Sequence, residues 1–477
     1  MCALFALCVL LLVLESGIRS TRFFWKNLSK VLIGNDEDYH IYMVGGSTSF
    51  GEPFGPKISV PKIVSYKFNE KIGDKEIKIV NLAWRGRELE HGYWRLFGSL
   101  YKNPGRNGVL FIYAGINDNV WKGQKDQATF FWRMIQRSVV LSKLTYLLRA
   151  GKRDLKNSPE RYIYRMNKTI RLAKYYGLEV AVSTLVGNIT EYGPDGNIGG
   201  STDTYELYNK GRNLEAARKY PDAIDVFGKL LEKRFVNLKC LYYHLGRCHR
   251  GLGEYDTARE YFWKVVDLGG EIRPNRFQNG LIRELASANQ IELVDSIRNF
   301  EQASENAMLG YDLFYDAHHP NLKGYLILAE GFADALSRLT KQEVKRPVVN
   351  ESDLTGEFGF ADSDYFNVYI SRVLWLCANM TRAAEKSERI ERARYYLEKA
   401  NKINSGDSRI YLSEFLLAVM DYDVKTALNW IEEGELLTRN REVFEGRKWL
   451  LKLISDKGLP DNTLDVIRKN ISIQEYN

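Results

Sequence analysis

Cysteine and histidine are both scarce. Five cysteines in 477 residues are too few and too scattered for a disulfide framework. Cys2 and Cys8 fall in the apolar N-terminal run. Cys240 and Cys248, eight apart on an expected helix, have no zinc-type partner set, and Cys377 stands alone. The last three read as packing residues. Of the six histidines, two are adjacent: His318 and His319, in YDAHHP, follow Asp316 at two and three residues. Low-complexity tracts are absent, and 45% hydrophobic with 27% charged residues is a globular composition rather than a disordered one. A chain this long is expected to hold two or three domains.

Long apolar runs are lacking too. Met1–Leu14 is unbroken apolar sequence, short of the roughly 20 residues a spanning helix needs. It has no positive n-region and no clear small-x-small cleavage site. Residues 1–20 are expected to be a signal or membrane-anchor segment, placing the protein at a membrane or outside the cell. A true start further upstream, with a longer anchor, would account for both defects, and a buried N-terminal helix is the alternative.

The net charge of +8 is unevenly spread. Phe131–Lys174 carries twelve Lys and Arg against Asp154 and Glu160, an excess of ten, so the remainder of the chain sums to −2. Solvated helix faces explain such a run; so does a patch that meets an anionic polymer or lipid surface. No basic motif interleaved with aromatics accompanies it, so nucleic acid is not an expected partner.

From His40 the pattern alternates strand and helix. HIYMVGG, EIKIVNLAW, GVLFIYAG, LEVAVSTLVG and QIELVD read as five strands, with helical patterns such as ELEHGYWRLFGSLYK and PERYIYRMNKTIRLAKYYG between them. Buried β-branched strands alternating with amphipathic helices predict an α/β fold with a parallel sheet covered on both faces. Ligands of such sheets bind beyond the carboxyl ends of the strands.

Between the fourth and fifth strands the pattern changes. YPDAIDVFGKLLEK and YDTAREYFWKVVDL share one template: Tyr220, Ala223 and Phe227 match Tyr255, Ala258 and Phe262 at an offset of 35. Leu245-Gly246 and Gly253 lie ahead of the second copy. This resembles the tetratricopeptide repeat, a helical hairpin of about 34 residues. Later, Ala393 and Ala427 stand 34 apart and suggest further degenerate repeats; a generic helical bundle is the alternative. The expected organisation is a segment at 1–20, an α/β domain at 36–204 and 271–341, inserted helices at 205–270, a linker at 342–364 and a C-terminal helical region at 365–477.

Four polar stretches follow strands: GGSTSFGEP with Ser47, NLAWRGREL with Gly86, YAGINDN with Asn117 and Asp118, and DAHHPN with Asp316 and His319. Each is unremarkable alone. A serine in a glycine-rich turn is ordinary turn chemistry, and DAHHP alone suits a metal, although no matching ligand cluster accompanies it. Together they supply what acyl transfer requires. A serine nucleophile needs a base and an orienter for that base, here Ser47, His319 and Asp316. An oxyanion needs preorganised donors, here the N–H groups of Ser47 and Gly86 and the Asn117 amide. Asp118 reads as a loop brace. Trp84, Arg85 and Arg87 read equally as substrate contacts or surface packing.

These four blocks, in this order, resemble the SGNH (GDSL-type) hydrolase superfamily over roughly Asp36–Leu339, outside an insertion near Tyr205–Gly270. Gly46 stands where the family usually has an acidic residue, a variant found in exported bacterial-type members. The resemblance implies a flavodoxin-like three-layer α/β/α sheet. It also implies a catalytic Ser47–His319–Asp316 set, an oxyanion hole of Ser47, Gly86 and Asn117, and no metal or organic cofactor. The implied function is a serine ester hydrolase, with carbohydrate O-acetyl groups as one substrate class. The same residues would serve a polysaccharide O-acetyltransferase, and a third reading is a repeat-based scaffold on an inactive hydrolase domain. Expected partners are an acylated small molecule or glycan, a protein bound through the helical repeats, and a membrane surface. Six Asn-x-Ser/Thr sequences, at Asn27, Asn167, Asn188, Asn350, Asn379 and Asn470, matter only on a glycosylating secretory route.

Overall fold

The computed structural model describes residues 37–103, 107–118, 120, 158–198, 201–233, 237–270, 272–421, 423, 426, 427, 429 and 430. The N-terminal segment, most of the basic run and nearly all of the last expected repeat lie outside these residues. The chain forms two compact units. One runs to Ile189 and resumes over Val266–Leu354; the other comprises Thr190–Val265 and the chain from Thr355.

The first unit is a mixed α/β structure on a mostly parallel six-stranded sheet. Its strands are β1 (Tyr39–Gly45), β2 (Lys71–Ile72), β3 (Lys75–Asn81), β4 (Gly108–Tyr113), β5 (Glu179–Ser183) and β6 (Glu292–Val294). They lie in the order β2-β3-β1-β4-β5-β6. Only the β2–β3 pair is antiparallel. The five expected strands are all present, and without β2 their order is the flavodoxin-like one. β2 is a two-residue strand at the sheet edge, too short to produce a periodic signal.

The connections follow from handedness. Right-handed crossovers send the chain from β1 outward to β3, then back across β1 to β4 and onward, so the helix between β1 and β3 covers one face and the helices of the later crossovers the other. Val60–Lys67 and Leu322–Thr340 pack together on one side; Leu89–Lys102, Pro159–Tyr175 and Arg276–Asn289 pack on the other. β1 and β4, central and covered on both faces, are buried along their whole length, whereas β3 near the edge is mostly not. The carboxyl ends of β1, β3 and β4 share one edge of the sheet, where Ser47, Gly86 and Asn117 follow.

The second unit is helical. Thr202–Ala216 packs on Tyr220–Glu232, which packs on Leu238–Gly251; Tyr255–Asp267 follows. The 35-residue offset has a steric counterpart. A Cβ added at Gly211 would lie 2.6 Å from the Phe227 ring, and one at Gly246 2.9 Å from the Phe262 ring. Each glycine therefore lets the next helix approach and bury its phenylalanine fully, a burial worth roughly 2–3 kcal/mol per ring. Cys240, Cys248 and Cys377 are buried thiols, not joined in disulfides.

The inserted helices and the C-terminal helices Asp362–Ala378, Ser387–Ile403 and Ser408–Met420, widely separated in sequence, belong to this one unit. The expected linker carries a helix, Glu351–Glu357. Within the unit, the Tyr208 hydroxyl donates to Glu385, and Arg212 Nε lies 3.1 Å from the same carboxylate. Thirty-five residues on, the Tyr243 hydroxyl donates to Glu388 at 2.7 Å, and Arg247 pairs with it. Equivalent positions of the two hairpins thus hold two glutamates three apart. Buried His244 lies between Glu215 and Glu385, with Nδ1 2.6 Å from Glu215 and Nε2 3.0 Å from Glu385.

Candidate active site

Ser47 opens a four-residue helical turn directly after β1, with Gly46 at its N-cap. As the first helical residue it leaves its N–H without an intrahelical partner. Ser47 Oγ lies 2.8 Å from His319 Nε2. His319 Nδ1 lies 2.8 and 3.0 Å from the two oxygens of Asp316. A carboxylate only accepts, so Asp316 fixes the Nδ1–H tautomer and leaves Nε2 to accept the serine proton. Asp316 Oδ1 also accepts the backbone N–H groups of His318 and His319, each at 3.0 Å. Asp316 is fully buried and His319 nearly so. That tight loop explains the three-residue spacing: the carboxylate closes on the backbone and on the ring together.

The serine turn is held from several sides. Ser49 Oγ donates to the Tyr113 carbonyl at 2.7 Å, and Asn81 Nδ2 to the Ser49 carbonyl at 3.0 Å. The Tyr325 hydroxyl, from the helix after the histidine loop, lies 2.8 and 2.7 Å from the Thr48 and Glu52 carbonyls. Thr48 Oγ1 reaches the His318 carbonyl at 3.5 Å. The serine and histidine loops are therefore tied together by more than the Ser–His contact.

Gly86 has φ +65°, a left-handed conformation that glycine adopts without penalty. Among the described residues, neither its N–H nor that of Ser47 donates a hydrogen bond. Asn117 Nδ2 donates to the Arg87 carbonyl at 3.0 Å, which leaves the second amide hydrogen for another acceptor. A cleft of about 240 Å3, open to solvent, is lined by Gly46, Ser47, Thr48, Arg87, Tyr113, Ala114, Gly115, Ile116 and Asn117. A Cβ at Gly46 would lie 2.6 Å from Asn117 Nδ2, so a larger residue there would have to displace that amide.

Asp118 is buried and accepts from the Leu89 N–H at 3.2 Å and from Arg165 Nη1 at 2.9 Å. Burial raises its pKa above the ordinary carboxylate value, and the Arg165 charge opposes this. It faces Arg165 and Leu89 and braces the loop, apart from the Ser47–His319–Asp316 hydrogen-bond chain. Arg85 pairs with Glu52 and lies 5.0 Å over Phe50; Trp84 carries Arg95 over its face at 5.2 Å. Of these three candidate contact residues, only Arg87 lines the cleft. Arg161, Arg165 and Lys168, from the basic run, face Glu88 and Glu90, so part of that run is matched by acidic side chains rather than gathered as a bare patch. No described helix is long and apolar enough to cross a membrane. Asn167 and Asn188 are buried, which removes two of the six glycosylation sequences from reach of a modifying enzyme in the folded protein.

His318 lies beside His319 with ring centroids 4.1 Å apart. Asp316, His318 and His319 bring possible metal-ligating atoms within 4.8 Å of one another. Two of those residues are already engaged: Asp316 holds His319 and two N–H groups, and His319 Nε2 faces Ser47. A metal bound there would compete with the Ser–His–Asp geometry.

The arrangement has the connectivity acyl transfer requires: nucleophile to base at 2.8 Å, base to carboxylate at 2.8 Å, and unspent donors beside the serine. Sequence reasoning missed Tyr325, whose hydroxyl bonds across the fold, and Arg165, whose pairing with Asp118 spans 47 residues. No local pattern marks either one.

Comparison with known proteins gives distant similarity. No family model matches the chain, and no curated protein matches it. A GDSL-like lipase from Bacteroides thetaiotaomicron VPI-5482 is 12% identical, with a TM-score of 0.30, over 66% of this chain and 96% of that one. An acetyl xylan esterase is 14% identical, with a TM-score of 0.29, over 62% of this chain and 99% of that one. The structure of Naa15/Naa10 bound to HypK-THB is 12% identical, with a TM-score of 0.19, over 82% of this chain and 60% of that one.

Proposed function

We propose that this protein is an SGNH-type serine ester hydrolase acting through an acyl-enzyme. The observation that carries this reading is the continuous Ser47–His319–Asp316 hydrogen-bond chain at a strand-end cleft. Ser47 Oγ attacks the ester carbonyl while His319 Nε2 accepts its proton. The Ser47 and Gly86 N–H groups and the Asn117 amide stabilise the tetrahedral oxyanion. The imidazolium, held by Asp316, then protonates the leaving alkoxide. Water, deprotonated by the same nitrogen, attacks the acyl-enzyme and releases the acid.

The small open cleft suits a short acyl group on a larger alcohol, such as an O-acetylated carbohydrate. The helical unit, with its 35-residue recurrence and glycine–phenylalanine packing, is read as tetratricopeptide-like and as a surface for a protein partner. Turnover of aryl acetate, butyrate and longer esters by wild type and Ser47→Ala tests the reading. Hydrolysis of short esters lost in Ser47→Ala supports it; wild-type rates retained in Ser47→Ala refute it.

A further inference from the structure

We propose that Arg165 is the positioning residue of the oxyanion hole, clasping the two loops that present Gly86 and Asn117. This rests on the hydrolase reading and names a residue outside the four blocks.

The two loops leave different strands, and nothing covalent sets their spacing. Gly86 follows β3 and Asn117 follows β4. Arg165, on the helix Pro159–Tyr175, reaches both. Its Nη1 lies 2.5 Å from Glu88 Oε2, two residues past Gly86, and 2.9 Å from Asp118 Oδ1, one residue past Asn117. It is nearly fully buried, as is Asp118, so the pair is little screened by solvent. Asp118 passes the constraint on through its other oxygen, which accepts the Leu89 N–H at 3.2 Å. Asn117 Nδ2 closes the circuit on the Arg87 carbonyl at 3.0 Å. One turn earlier on the same helix, the Tyr162 hydroxyl donates to the Ala114 carbonyl at 2.7 Å. The helix therefore fixes the β4 loop at two points, and Arg165 bridges that loop to Glu88 on the β3 side, where Arg161 and Lys168 of the same helix also meet Glu88 and Glu90.

A planar guanidinium can serve two carboxylates at once, whereas an ammonium offers less directional contacts. Displacing an oxyanion donor costs transition-state binding more than ground-state binding. Loss of the clasp should therefore appear in kcat and leave KM nearly unchanged.

The test uses the full chain and four variants, read by kcat and KM on an aryl acetate, Ki for an alkyl boronic acid that forms a tetrahedral adduct on serine, and thermal melting. Glu88→Gln keeps the buried Arg165–Asp118 pair and removes only the β3-side charge of the clasp. Its kcat should fall about 10-fold to 100-fold with KM within about twofold, boronate Ki rising by a similar factor, and melting nearly unchanged. Arg165→Met should do at least as much, and Arg165→Lys should recover part of that loss. Should Arg165→Met fail to fold, Glu88→Gln decides. Wild-type kcat in Glu88→Gln overturns the proposal, as does a fall in kcat with unchanged boronate affinity. Ser47→Ala separates the two levels: full activity there refutes the hydrolase reading itself, whereas its loss beside a normal Glu88→Gln refutes only the clasp.

Discussion

Replacing His244 by Gln should remove a specific pH dependence from the helical unit. His244 is fully buried, stacked on Phe227 at 5.3 Å between centroids, and placed between Glu215 and Glu385. Burial alone would lower its pKa; hydrogen bonds to the two carboxylates, with their charges, overcome this and hold it up at about 9. The ordinary value is 6.5. A tenfold change in proton affinity is worth about 1.4 kcal/mol, so the preference for the imidazolium in the folded state is worth about 3 kcal/mol. Because the folded pKa is the higher one, that contribution is fully present below pH 6.5 and is lost as pH rises through 9. Glu385 is the other half of the same pair. Burial raises its pKa, but the His244 hydrogen bond and charge outweigh this and hold it down at about 2. Its contribution is present above the ordinary 4.5 and fades as pH falls toward 2. The two describe one interaction and are not added. Urea gradients at pH 6, 7.5 and 9.5, read by labelling of the buried thiols Cys240 and Cys248, should show the wild-type unit weakening by about 3 kcal/mol across the range. His244→Gln should be weaker at pH 6 and nearly flat. A flat wild-type profile, or a slope that survives the substitution, would refute the reasoning.

The two adjacent histidines should separate cleanly. His319→Ala should cut kcat by ~10⁴-fold or more, while His318→Ala, which leaves the Ser47–His319–Asp316 chain in place, should cost less than about tenfold in the same assay; equal losses would contradict the assigned roles. Asn117→Ala removes an oxyanion donor and the tether to Arg87, so kcat/KM should fall about 10²–10³-fold on any accepted ester. Gly246→Ala drives a methyl against the Phe262 ring. It should destabilise the helical unit by about 1–3 kcal/mol, seen as a lower urea midpoint with ester turnover unchanged.

Much of the fold was legible because its signals are local. β1 and β4 are apolar throughout because both faces are covered, and such runs stand out from helices by length and β-branching. β2 left no trace because two residues at a sheet edge carry no period. Ser47, Gly86 and Asn117 could be found because each lies just past a strand; Asp316 and His319 come only after the helix Ser296–Ala303 that follows β6, but their mutual contact is itself local. The clasp was hidden because Arg165 meets Glu88 across 77 residues, and long-range ion pairs have no sequence period. The grouping of the insertion with the C-terminal helices was hidden for the same reason. One signal was available: YNKGRN and YHLGRC align Tyr208, Gly211 and Arg212 with Tyr243, Gly246 and Arg247. Extending the 35-residue match through them would have exposed the recurring positions that hold Glu385 and Glu388.

The central claim is that Ser47 is a nucleophile activated by His319. Incubation of the folded full chain with a serine-reactive fluorophosphonate, followed by peptide mass spectrometry, tests it directly. One adduct is expected, on Ser47, absent in Ser47→Ala and strongly slowed in His319→Ala. A folded wild type that takes no label, or takes it on another serine, would contradict it.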